Sequence, residues 1–377
     1  MQPMAPYAKA LADAGDEVMV ATSEAFRPAV ERLGLDSVGI GLDFTWEDPT
    51  GRFPQLVEAR REGRIGDALL EIVWDEWVSA AMTDLTQIID TWKPDLIVRE
   101  ALEYAAMFAA RITETPLAAA AWGTVQADHS WELDGVGFDR FCASHDRLAE
   151  TMGLAGDARD RWANEFTLSS LPPSWIPREL EPRPPLHHFR IPPLDGASVG
   201  DSWPARPADA RPLVYATLGT VYWWDHELRS VLLEAVSEID ADVVMTVGRR
   251  VDPTRIATPG NVRVEQYVPQ SLLLPEASAV VCHGGLGTMI GAIAAGVPMV
   301  LIDLGTDHTM NARRATELGI AESFTRAEIA PAPLAAAVQR ALEHPGRRAS
   351  AKRIAEEYAA LQPSTSAVEV LHRHAQA

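Results

Sequence analysis

The chain has 377 residues, enough for two domains of ordinary size, and its 47% hydrophobic and 23% charged content is that of a soluble globular protein. A net charge of −20 argues against nucleic acid and anionic membrane surfaces as partners, while leaving room for one small anion at a locally positive site. Two cysteines, Cys142 and Cys282, are too few for a disulfide framework, so a reducing cytoplasm is the simplest setting; neither a membrane-spanning run nor a secretory leader is visible.

Residues 6–14 have helical spacing that Gly15 ends, 17–22 read as a strand and 26–33 as a helix. Residues 52–92 alternate apolar and charged positions at helical spacing; their Trp74, Trp77 and Trp92 are core or cleft wall. A short buried strand at 94–99, a helix at 101–112 and a strand at 116–122 follow. Residues 171–211 are dense in proline from Pro172 to Pro207, Pro177, Pro182, Pro184, Pro185 and Pro193 among them; this density denies helix and central strand and marks a domain end and linker. A second strand–helix series starts at 213–217 and continues through strands at 243–247, 262–267, 279–282 and 299–302, and a terminal helix covers 364–374. Alternation of this kind implies α/β domains with covered parallel sheets, whose ligands bind beyond the carboxyl ends of the strands.

The most informative segment is Val280-Val281-Cys282-His283-Gly284-Gly285-Leu286-Gly287-Thr288. An apolar strand ends in a His, glycines let another group approach the backbone, and a helix begins whose first N–H groups and dipole favour an anion. His283 and Thr288 add side-chain donors, Gly296 stops the helix, and a further strand leads to Asp307-His308 and Asn311.

The run from 283 to 313 resembles the donor-binding signature of family 1 glycosyltransferases with the GT-B fold, in the branch of actinobacterial enzymes that decorate natural products. The resemblance is dense over 212–319 and recognisable around 94–116. It implies two Rossmann-like domains: an acceptor domain at 1–195, a Pro-rich linker at 196–211, a donor domain at 212–360, and a tail at 361–377 returning to the first domain, with the reaction in a cleft between them. The tryptophan-bearing helices and the segment from Trp122 to Trp131 would recognise the acceptor. The resemblance also implies that His283 is a phosphate ligand rather than the base, with Gly284, Gly285, Gly287 and Thr288 completing the cradle and Gly219 and Thr220 near the phosphates or the cleft face. Val268 and Gln270 would flank a uracil or thymine base. Asp307 and His308 would meet donor-sugar hydroxyls, and Asn311 would open the next helix and support the phosphate site. Most relatives have Gln where this chain has His308; the imidazole either takes the amide's place or caps the helix.

Other residues keep two readings. Arg249 and Arg250 face the nucleotide or a solvated turn; Asp240 and Asp242 imitate a metal-binding Asp-x-Asp on the wrong edge of the unit, and the resembled family needs no metal. Glu100, at the carboxyl end of a strand, is the catalytic candidate, orienting a histidine base as the resemblance implies, or a surface residue starting a helix; Glu103 is a lesser candidate of the same kind. His129 and His145 fall in the variable region that would line the acceptor pocket, and surface positions are the preferred reading for both. The family's opening strand and Gly-His-x-x-Pro are missing: Gln2-Pro3 aligns just after that histidine, so an upstream extension of about 12–18 residues carrying strand and base is expected. The expected activity is metal-independent, inverting transfer from a UDP- or dTDP-sugar, as co-substrate and with no other cofactor, to a hydroxyl of a small hydrophobic acceptor; a non-catalytic nucleotide-sugar-binding protein is the alternative. A homodimer is left open.

Overall fold

A computed structural model of the chain describes residues 4–43, 53–61, 68, 76–101, 103–121, 123, 132–133, 136–158, 160–161, 166–176, 186–193, 195–197, 201–204, 206–207, 209–219, 225–305 and 307–376. Of the residues singled out above, Gln2, Pro3, Trp74, Trp122, His129, Trp131, Pro177, Pro182, Pro184, Pro185 and Thr220 lie outside this set. The chain divides into two units, Met1–Pro192 with Gln362–Ala377, and Pro193–Leu361.

In the first unit, α1 (Ala5–Asp13) precedes β1 (Met19–Thr22), and α2 (Arg27–Glu31) precedes β2 (Asp36–Gly39); the two strands pair in parallel. Helices α3 (Pro54–Arg61) and α4 (Ser79–Trp92) follow. Next come β3 (Ile97–Glu100), α5 (Tyr104–Thr113), β4 (Leu117–Ala120), a hairpin of β5 (Glu132–Leu133) and β6 (Val136–Gly137), α6 (Phe138–Thr151), β7 (Phe166–Ser169) and β8 (His187–His188). A parallel sheet runs β3-β4-β7-β8. Every residue from Tyr104 to Ala110 is buried, as expected of a helix apolar all round and covered on every side. Of the tryptophans read as core or cleft wall, Trp77 and Trp92 are half-buried, and the Trp92 indole N–H reaches Glu17 at 3.1 Å. The C-terminal helix Ala367–Ala375 docks on this unit, where Ala367 and Leu371 share a core with Tyr7, Ala118, Leu168 and Phe189.

The second unit is one parallel sheet in the order β11-β10-β9-β12-β13-β14. Its strands are β9 (Leu213–Thr217), β10 (Asp242–Thr246), β11 (Val262–Glu265), β12 (Ala279–Cys282), β13 (Met299–Asp303) and β14 (Ala321–Thr325); its helices are α7 (His226–Ser237), α8 (Gln270–Leu273), α9 (Leu286–Ala295), α10 (Asp307–Glu317), α11 (Pro331–Glu343) and α12 (Pro345–Ala359). All residues of β9 and β12 are buried, as expected of strands covered on both faces, and Thr217 at the end of β9 is the exception to their apolar character. Val214 and Ala216 pack with Val281 and Ile302 against Leu232 of α7 and Val338 of α11. Strand order reverses between β9 and β12, so the loops after those two strands meet at the topological switch point, where such sheets bind ligands.

Candidate functional site

Two loops converge at the switch point. After β9, Gly219 takes φ +71, and its N–H turns back to Thr217 Oγ1 at 3.1 Å. Thr217 Oγ1 also accepts from Thr246 Oγ1 at 2.8 Å, and the Tyr215 hydroxyl lies 3.1 Å from Thr246, so buried hydroxyls on one sheet face brace this turn. After β12 comes His283, whose ring lies where a Cβ on Gly219 or on Gly285 would fall, 2.4 Å away in either case. Glycine at both positions is therefore a requirement of the imidazole, and at Gly219 of the positive φ as well. Burial pushes the His283 pKa down to about 4, so the ring is neutral at physiological pH and offers one N–H donor.

Gly285 is the N-cap of α9 and offers no capping side chain, leaving the N–H groups of the first turn available to an anion. Thr288 is buried in that turn. Gln270 Nε2 donates to the Gly287 carbonyl at 3.0 Å, tying the loop that holds Val268 to the glycine turn. Asp307, His308 and Asn311, all buried, arrive on α10. The Asn311 amide donates to the Gly284 carbonyl and to Asp307 Oδ2, both at 3.0 Å, and the His308 ring meets that of His283 edge to face at 4.8 Å. His308 is the second residue of α10 rather than its cap, and Asn311 sits a turn inside that helix rather than opening it. Gly219, Gln270, His283, Gly284, Gly285, Gly287, Thr288, Asp307, His308 and Asn311 thus belong to one cluster in the second unit.

Three further residues brace the cluster, unread in the sequence. Asp303, ending β13, accepts from Gly305 N at 2.9 Å and Thr309 Oγ1 at 2.8 Å; its place at the carboxyl end of a strand was a usable signal. Thr217, ending β9, carried the same signal, and Asp195, which accepts the Ser271 N–H beside Gln270 at 2.7 Å, carried none. The Asp-x-Asp has another occupation: Asp242 binds Arg206 at 2.6 Å and Arg211 at 2.5 Å, so its oxygens neutralise arginines. Arg249 lies over the Tyr267 ring at 4.0 Å.

Glu100 lies in the first unit, half-buried at the carboxyl end of β3, while Glu103 caps α5 by accepting from Ala105 N at 3.1 Å. Burial, then the neighbouring Glu100, raises the Glu103 pKa to about 7. His145 corrects the surface reading: it is 1% exposed, set against Tyr104 at 4.3 Å and Phe108 at 5.1 Å. Burial, then Arg99 and Arg111, holds its pKa down to about 3. Stability from neutral His145 is full above the ordinary value of 6.5 and is lost as pH falls through that value toward 3. Stability from protonated Glu103 is full below 4.5 and is lost as pH rises through about 7. Thermal unfolding between about pH 5 and about pH 8 is expected to show His145→Phe flattening the acid limb and Glu103→Gln the alkaline one. An unchanged acid limb in His145→Phe would remove His145 from this account.

The sequence matches the family described as erythromycin biosynthesis protein CIII-like, its N-terminal domain over residues 9–219 and its C-terminal domain over residues 230–373. The chain belongs to the erythromycin biosynthesis protein CIII-like family. This CIII-like chain is 29% identical over 391 residues to 10-deoxymethynolide desosaminyltransferase of Streptomyces venezuelae, covering 94% of this chain and 89% of that protein. It is 28% identical to tylactone mycaminosyltransferase of Streptomyces fradiae, over 98% and 90% of the two chains. Among solved structures, glycosyltransferase VinC in complex with DTDP aligns with a TM-score of 0.73 at 28% identity, over 99% of this chain and 96% of that one. The calicheamicin glycosyltransferase CalG4 aligns with a TM-score of 0.79 over 99% and 94%, and at 22% identity it speaks to the fold alone. The CIII-like protein is a GT-B glycosyltransferase, and these relatives favour catalysis over a purely binding role. No helix among the described residues is long and apolar enough to cross a membrane.

Proposed function

We propose that this enzyme transfers a sugar from a nucleoside diphosphate, with inversion, to a hydroxyl of a small hydrophobic natural product, and that the switch-point cluster holds the donor. The observation that carries the reading is the convergence of the Gly219 turn, the His283 ring and the uncapped first turn of α9. Together they offer a neutral imidazole donor, the Thr288 hydroxyl and aligned backbone N–H groups to one anion. The same groups and the helix dipole stabilise the charge that develops on the departing diphosphate, so no metal is invoked. Asp307 and His308 are the partners proposed for sugar hydroxyls, and the loop through Val268 and Gln270 flanks the base. Glu100 is proposed to orient the base that deprotonates the acceptor. The DTDP bound to VinC makes dTDP the first donor nucleotide to try, with UDP second.

Calorimetric titration with dTDP and UDP, without added metal, is expected to give saturable binding to one of them. His283→Ala removes a hydrogen bond to a charged oxygen and is expected to weaken that binding about 10- to 100-fold. Folded wild-type protein that binds neither diphosphate would overturn the donor-site reading.

A further inference from the structure

The loop between β11 and α9 has an unusual anchor. Helix α8 begins after Pro269, which has no side chain that caps and carries no N–H of its own. The missing cap comes from Asp195, 76 residues before Ser271 and 9% exposed. Its Oδ2 accepts the Ser271 N–H at 2.7 Å, and its Oδ1 accepts from Ser271 Oγ at 3.0 Å, so both oxygens close on a single residue. Its backbone carbonyl accepts from the Tyr267 hydroxyl, on the other side of Val268-Pro269-Gln270. Both ends of that tripeptide are thereby fastened to one point of the segment that enters the second unit. Gln270, next to Ser271, grips the Gly287 carbonyl in the first turn of α9.

We infer that Asp195 is a positioning residue for the nucleotide: by capping α8 and fastening Tyr267, it sets where Gln270 holds the glycine turn, and so sets the affinity for a nucleoside diphosphate. This rests on the donor-site reading above. A cap that served stability alone would act on the unfolding midpoint and leave ligand affinity untouched. A positioning cap acts on affinity through Gln270.

The test is calorimetric titration of dTDP and UDP into the full chain and its variants, each with a thermal unfolding curve. Asp195→Ala is expected to weaken the diphosphate about three- to tenfold, the range a lost cap converts to. Asp195→Asn is expected to recover affinity to within about twofold, because its carbonyl oxygen still accepts the Ser271 N–H and its amide can donate to Ser271 Oγ. In a Gln270→Ala background, Asp195→Ala is expected to add no further loss, since the link to Gly287 is already cut. Undiminished affinity in Asp195→Ala overturns the inference, and so does a loss that simply adds to that of Gln270→Ala. Should Asp195→Ala not fold, Asp195→Asn against the double variant Tyr267→Phe with Ser271→Ala, which removes both side-chain bonds made to Asp195, carries the comparison: full affinity in the double variant overturns the inference, and a loss there with affinity kept in Asp195→Asn supports it. Wild-type protein that binds neither diphosphate would bring down the donor-site reading and this inference together. Wild type that binds, with His283→Ala weakened and Asp195→Ala unaffected, would bring down this inference alone.

Discussion

Gly219→Ala is expected to cost about two orders of magnitude in nucleoside diphosphate affinity, the scale of an ångström-sized misplacement at a binding or catalytic group. The Cβ would lie 2.4 Å from His283 Cε1 and 2.8 Å from Nε2, so the ring must move. It has little room: Gly285 presses from another side, its own added Cβ falling 2.4 Å from Nε2, and His308 stands edge-on at 4.8 Å. The substitution also forces alanine to φ +71, which costs about 1–2 kcal/mol. Two neighbours separate these effects. Gly285→Ala keeps an ordinary φ of −68 and makes only the clash. Gly284→Ala, at φ +81, suffers the strain, while its nearest protein neighbour is 3.6 Å away. Unfolding midpoints should therefore fall for Gly219→Ala and Gly284→Ala. The displacement of His283 should show as weak diphosphate binding in Gly219→Ala and Gly285→Ala. If Gly285→Ala bound dTDP or UDP as tightly as the wild type, the His283 ring would not be the group that grips the phosphate.

The parts of this site that were legible in the sequence are those written locally. Strand β12 is four buried residues long, the glycines and His283 follow without a break, and Gly296 closes α9 at φ +65, so periodicity and turn chemistry both speak within one short window. The contacts that hold the turn in place are not local. Asp195 reaches Ser271 across 76 residues and Gln270 reaches Gly287 across 17; a hydrogen bond between distant segments leaves no mark on the spacing of either. Asp242 resembled half of a metal motif because its partners, Arg206 and Arg211, lie 36 and 31 positions earlier. His145 is a different kind of miss, since the information was present. It shares a helical stripe with buried Cys142 and Ala149, and charged neighbours such as Asp146 and Arg147 distracted from the 3.6-residue period. Trp92 lies between these cases: a large apolar side chain points to core or cleft wall, and the ring is half-buried with its indole N–H bonded to Glu17.

Asn311→Asp is expected to be the most damaging isosteric change in the second unit. Asn311 is fully buried, and its amide nitrogen faces two acceptors, the Gly284 carbonyl and Asp307 Oδ2, each at 3.0 Å. An aspartate fits the same volume but turns a donor into an acceptor, so oxygens from positions 284, 307 and 311 would converge on one another in a buried place. Leaving a buried charge without compensation costs about 3–5 kcal/mol, a large part of the stability of an ordinary domain. The turn relaxes by releasing the Gly284 carbonyl, and diphosphate affinity should fall at least as far as in His283→Ala. The loss should also depend on pH. Crowded by Asp307, the new carboxyl would have a folded pKa raised above its unfolded value, so stability is retained below the unfolded value and lost as pH rises through the folded one. Once protonated, the introduced carboxyl regains a donor. Asn311→Ala, which removes the amide and adds no charge, should be destabilised by a similar amount at every pH. Thermal unfolding of the two variants from about pH 4 to about pH 8 decides the matter. Acid recovery in the aspartate variant alone identifies Asn311 as the donor that holds the glycine turn to α10, and parallel curves for the two variants would reduce it to a space-filling residue.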